Sequence, residues 1–300
     1  MHTITALTEF ANAWVDNLKS LPAAFPAVSA AAEAINQTYQ VLTNEDVVPD
    51  VDDIPGGVAA TITFAAHVAW AEAYVLVAAG QVETGLAALR RYIEYTAYAA
   101  KVGSSEKRAR DWMHQRTDIA ARRSFSGECR IPLAYAAEKY NDLWQLLVVY
   151  DMSSYFGVHG NWETVATKVR SVDNEKIILS YQTSRSIVLP ATGLAVLMGY
   201  RGLTSAVKTL HSNLGKEAHC LTLLPYVSEA VRQCRLTLTA EEFGSVIPDN
   251  IWKAIMSDDQ TRIREDFQAL VEREKSKGES TPGVLEEHGH AIVSLPNPDS

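Results

Sequence analysis

AATITFAAHVAWAEAYVLVAAGQVETGLAALRRYIEYTAYAAKV, residues 59–102, is the stretch that decides the fold class. Apolar residues recur three and four positions apart, and β-branched runs are short. That is the spacing of one face of an α-helix. Gly80 interrupts the pattern midway, so the stretch reads as two helices hinged near Gly80. Gly103 ends the second helix. Ser104 or Ser105 then caps a third, which opens with charged residues.

On the N-terminal side of this stretch, NEDVVPDVDDIPGG (44–57) reads as an acidic, solvated loop. It lacks the Asp-x-Asx-x-Asx-Gly run and the closing glutamate of a calcium loop. Residues 4–42 read as one or two helices broken by Pro22 and Pro26. In the other direction, EKRARDWMHQRTDIAARRSF predicts a polar helix to about Phe125, SGECRIP a break, and LAYAAEKYNDLWQLLVVYDMSSYF an apolar helix for the core. Period-2 alternation in EKIILSYQTSRSIVLP predicts a short β-hairpin near 176–190, with IILSY and SIVLP as strands. A long helix pair follows, from Ala191 to about Thr239. Glycines at 193, 199 and 202 predict close packing or a kink in its first member. Residues 250–277 read as an amphipathic helix, and the polar tail from Gly278 as disordered.

The expected fold is therefore mainly α, a multi-helix bundle with one hairpin. The expected divisions are N-terminal helices and acidic loop (1–57), a helical core (58–245), an amphipathic C-terminal helix (246–277) and a disordered tail (278–300).

The chain of 300 residues is 47% hydrophobic, normal for a folded protein, and its formal net charge is −9. A non-specific nucleic-acid binder is normally basic, so the global field argues against that class. Three cysteines without CxxC spacing are neither a disulfide framework nor a zinc site. The longest apolar stretch, residues 187–199, is shorter than the ~20 residues of a spanning helix, and the N-terminus lacks a signal-peptide pattern. These features lead to the expectation of a cytoplasmic protein with no membrane contact.

Catalytic grammars are missing: no GxSxG, P-loop, GxGxxG, HExxH or ExxH pair occurs. Glu72, Glu83 and Glu94 recur every eleven residues, but a solvated helix face gives the same spacing. No metal or other cofactor is expected. Between Arg90 and Arg130 lie ten basic and five acidic residues, a local charge of +5. With Tyr92, Tyr95, Tyr98, Trp112 and Phe125 interleaved, this stretch could take RNA or another anionic ligand through Arg108, Arg110, Arg116, Arg122 and Arg123. The competing reading is a helix laced by the i,i+4 pairs Glu106–Arg110, Asp118–Arg122 and Arg90–Glu94. Arg90 and Glu94 also flank the apolar face of Leu86, Leu89, Ile93 and Ala97. His159, in SSYFGVHGN (153–161), follows a helix end, where carbonyls favour a protonated ring.

These features fall in a fixed order: an Arg-x-x-x-Glu helix, a charged helix SSEKRARDWMHQR, then an apolar helix running into YDMSSYFGVHGNW. That order, over about residues 65–215, resembles DUF5677, a bacterial helical family of unknown function similar to HEPN domains. The resemblance implies that Arg90, Glu94 and His159 converge inside the bundle. It implies a binding or regulatory role in bacterial stress or phage defence. The HEPN likeness also suggests a metal-independent ribonuclease, with His159 as general acid/base, Arg90 on the phosphate and Glu94 holding Arg90. The chain departs from the Arg-x4–6-His motif of those enzymes, because Met152, Ser153 and Ser154 occupy the arginine's positions. Arg108-x5-His114 fits the spacing, but on another helix. A third reading is a structural homodimer joined through the 250–277 helix. Whether the chain is an enzyme stays open at this point.

Overall fold

The computed structural model describes residues 2–46, 52–129, 146, 149–150, 153, 169–173, 176–179, 185–215 and 218–238. The chain is mainly α-helical, a bundle in which the described residues form eight α-helices and one short hairpin. The helices are α1 (His2–Ala24), α2 (Pro26–Val41), α3 (Ile54–Ala78), α4 (Val82–Val102), α5 (Glu106–His114), α6 (Ile119–Cys129), α7 (Arg185–Leu210) and α8 (His219–Thr237).

The α3–α4 pair is the most extensive helix contact among the described residues. The expected hinge at Gly80 is a tight C-terminal turn. Gly80 takes φ 88°, its N–H bonds the Val77 carbonyl, and the Gln81 N–H bonds that of Leu76. A side chain there would be strained in this left-handed conformation, which is why glycine occupies it. The two helices then run antiparallel. Gly85 lies so close to Ala73 and Val77 that a Cβ would strike the Val77 backbone at 2.9 Å.

The start of α3 differs from expectation. Ile54 to Gly57 belong to the helix, because Asp53 caps it by accepting from the Gly56 N–H at 3.0 Å. The charged helix predicted to Phe125 is two helices. Asp118 turns its Oδ1 onto the Ala120 N–H at 2.7 Å, which starts α6 afresh. Ser105 caps α5.

The hairpin exists one strand earlier than expected. Lys176–Leu179 pairs antiparallel with Val169–Asp173, Val172 opposite Ile177. The second expected strand, SIVLP, lies in α7. A short apolar run fits a buried helix as well as a strand, and here the run continues apolar to Tyr200, far longer than a strand. Burial is nearly continuous from Val188 to Met198, so this segment is the bundle's inner helix.

One core joins these elements. Val28, Ile35 and Tyr39 of α2 share a cluster with Trp70, Leu89, Leu194, Met198, Val227 and Val231. Within the segment 1–57, α2 packs against α7 and α8. A second cluster holds Val58, Ile62, Val102, Ala109, Phe125 and Cys129, and fixes α5 and α6 to the far ends of α3 and α4. Two described helical segments, Ile54–Ala78 and Ile187–Leu210, are long and apolar enough to cross a membrane by length and composition; 44% and 78% of their apolar windows are buried inside the fold. The expected C-terminal helix and tail lie outside the described residues.

Candidate functional site

Arg90, Glu94, Tyr98 and Lys101 follow each other at four, four and three residues, so they line one face of α4. Arg90 and Glu94 meet, with Nε 3.4 Å from Oε1. A third residue, Tyr150, completes the cluster. Arg90 Nη2 donates to the Tyr150 hydroxyl at 3.0 Å, and that hydroxyl donates to Glu94 Oε1 at 2.9 Å. The guanidinium carbon lies 4.8 Å from the centre of the Tyr150 ring, a cation–π contact.

The electrostatics follow from this geometry. Burial alone would lower the Arg90 pKa, but Tyr150 and Glu94 outweigh it and hold the guanidinium charged beyond its usual range. Burial, and then Glu94, raise the Tyr150 phenol. Tyr98 is pushed up to about 12 by burial and by Glu94. Its ring packs edge-on to Phe125, centroids 5.3 Å apart.

Arg90 has five N–H donors in a planar fork. Glu94 and Tyr150 engage its Nε and Nη2 side. The Nη1 pair has no partner among the described residues. Three residues beyond Tyr150, the Ser153 hydroxyl is buried and unpartnered among the described residues. His159 lies outside the described residues.

Lys101 ends the stripe differently. Only 2% of it is exposed, and Nζ donates to the carbonyl of Cys129, the last residue of α6, at 3.2 Å. Helix C-termini favour cations. Burial nevertheless pulls the amine down to about 8, with Arg108 adding to the effect.

The five arginines of the basic stretch divide. Arg110, Arg116, Arg122 and Arg123 are exposed, and Arg108 is half-buried. Arg108 and Arg110 are two residues apart on α5 and project from opposite edges. Arg110 clamps Glu106 through Nε and Nη2 at 3.0 and 2.7 Å. Arg122 does not pair with Asp118, whose carboxylate is spent on the α6 cap. It donates to the carbonyls of Gln115 at 3.0 Å and Arg116 at 3.4 Å. Lys107 pairs with Asp111 at 3.1 Å, and Ser124 joins both. Much of this charge therefore stitches α5 to α6.

Among the described residues, no three His, Cys, Asp or Glu side chains gather as a metal site would need. The turn at Gly80 also parts Glu72 from Glu83 and Glu94. Glu72 pairs instead with Arg91 at 2.7 Å.

Tyr150 is the site residue that sequence reasoning missed. Its signal is a lone phenol at the end of the apolar run LLVVYD, where a buried hydroxyl has to find a polar partner. A second polar ladder was also unannounced. His67 Nε2 donates to Asn36 Oδ1 at 3.0 Å, and its ring stacks on Tyr39 at 4.9 Å. The Tyr39 and Tyr92 hydroxyls are 2.9 Å apart. No protein-family model, curated protein or solved structure matches the chain.

Proposed function

We propose that this chain is a helical binding or regulatory protein that takes an anionic ligand, RNA phosphate in the first instance, at the Arg90 guanidinium. One observation carries the reading: Arg90 is held on two sides by Glu94 and Tyr150 while its Nη1 donors have no partner among the described residues. A planar fork fixed in this way suits a phosphate or carboxylate, which it can meet with two parallel hydrogen bonds. Pre-ordering the side chain removes part of the entropic cost of binding. Exposed Arg116 and Arg123, with no ion-pair partner among the described residues, add attraction at the far end of α4. A placing in bacterial stress or phage defence rests on the DUF5677 and HEPN resemblance alone.

The test is fluorescence anisotropy of a labelled single-stranded RNA across a salt series. Arg90→Lys keeps the charge and loses the fork, and is expected to weaken binding about tenfold. Tyr150→Phe removes one positioning contact and should cost less. Unchanged affinity in Arg90→Ala, with circular dichroism showing an intact fold, would defeat the reading.

The ribonuclease reading gives His159 proton transfer, Arg90 the phosphate and Glu94 the holding of Arg90. Its support is the Arg90–Glu94 contact. The same RNA, incubated and resolved by gel, tests it: cleavage lost in His159→Gln with binding retained is the expected sign.

A further inference from the structure

α3 carries a stripe that nothing described covers. Phe64, Val68 and Val75 are 51%, 50% and 47% exposed, although the other side of α3 packs against α4 and α7. Thr61, Ala65, Ala71 and Glu72 complete this face at spacings of three and four. Its inner side is committed to the core, with Trp70 Nε1 donating to the Ala195 carbonyl at 2.9 Å. A helix apolar on every face normally has every face covered.

We propose that this stripe is the contact between two copies of the chain, α3 packing antiparallel on its twin across a two-fold axis. Charge selects the occupant. The one charged residue in the stripe, Glu72, is already neutralised by Arg91 at 2.7 Å, so two such faces meet without like-charge repulsion at the contact. Shape agrees. A two-fold axis between positions 69 and 70 sets Phe64 against Val75 of the partner subunit, and Val68 against Ala71 of the partner subunit. Each large side chain then faces a smaller one, twice over, as an isologous contact requires. A lipid bilayer fits less well. The Arg91–Glu72 ion pair lies in the stripe, and hydrocarbon penalises it. A chain of net charge −9 is also repelled by an anionic leaflet.

The full chain is examined by sedimentation velocity. The expected result is a dimer that tightens with added salt, because screening relieves repulsion between two acidic chains. Val68→Glu and Phe64→Glu, at half-exposed sites, are expected to give folded monomers by circular dichroism. Leu236→Glu, on the exposed face of α8, should leave the dimer intact. Three results overturn the proposal: a monomer at high protein concentration, a dimer that survives both glutamates, and a monomer that floats with phosphatidylcholine or phosphatidylglycerol vesicles.

Discussion

Tyr92 and Trp70 show how single residues set the packing of whole helices. The Tyr92 hydroxyl donates toward the Met198 and Gly199 carbonyls of α7, at 3.2 and 3.0 Å. Its proton is therefore committed, and Tyr39 must donate to it in turn. Both rings reach α7 only because it lacks side chains where they land. A Cβ on Gly202 would collide with the Tyr92 hydroxyl, and one on Gly199 with the Trp70 indole nitrogen. Gly199→Ala is expected to destabilise by about 1–3 kcal/mol, read from the urea midpoint. Gly215→Ala is the control: among the described residues no atom beyond its chain neighbours lies within 4 Å of that Cβ, so no loss is expected.

His67 makes a second residue-scale prediction. Burial lowers its pKa from 6.5 to about 4. Between those values the unfolded chain binds a proton that the folded ring refuses. Stability therefore falls as pH drops through this window, by up to about 3 kcal/mol from this group. Urea titrations at a series of pH values should show the loss, and His67→Gln should remove it.

At the scale of elements, the caps decide where helices start. Asp118 separates α5 from α6, and Arg122 covers the carbonyls that the break exposes. Asp118→Ala is expected to cost about 1 kcal/mol. Thermal unfolding should show a lower Tm, while Asp118→Asn, which keeps the accepting oxygen, should restore most of it. The same logic explains where the structure differs from the local sequence pattern. TDIAARR carries its own N-cap signal, but it is short and sits inside a charged run that continues at helical spacing. SIVLP alternates like a strand over five residues, but Val188, Leu189 and Pro190 are buried in a helix that packs against α2, α3 and α4, which no local pattern reports.

For the molecule as a whole, buried amine and phenol groups bracket an alkaline optimum. Lys101 is lowered from 10.5 to about 8, so above pH 8 the unfolded chain holds the extra proton and stability rises with pH. Tyr98, raised to about 12, works the other way above pH 10, where only the unfolded chain releases its proton. Burial also raises the Cys234 thiol from 9.0 to about 12, which opposes the climb above pH 9, so Tm should rise from about pH 8, level off near pH 9 and fall above pH 10. In Lys101→Met the climb should vanish.

The helical class, the hinge at Gly80, the end of α4 at Gly103 and the Arg90–Glu94 pair are all legible in the amino-acid pattern. Each of these is local, set by spacing within a turn or two of helix or by a residue's own backbone preference. Tertiary structure alone decided that Tyr150 closes on that pair, that Lys101 is buried under the end of α6, and that Gly199 and Gly202 admit Trp70 and Tyr92. The hydrogen bonds at those contacts join residues 28 to 125 positions apart along the chain. Their partners are chosen by how helices pack, and a one-dimensional pattern does not encode which face meets which.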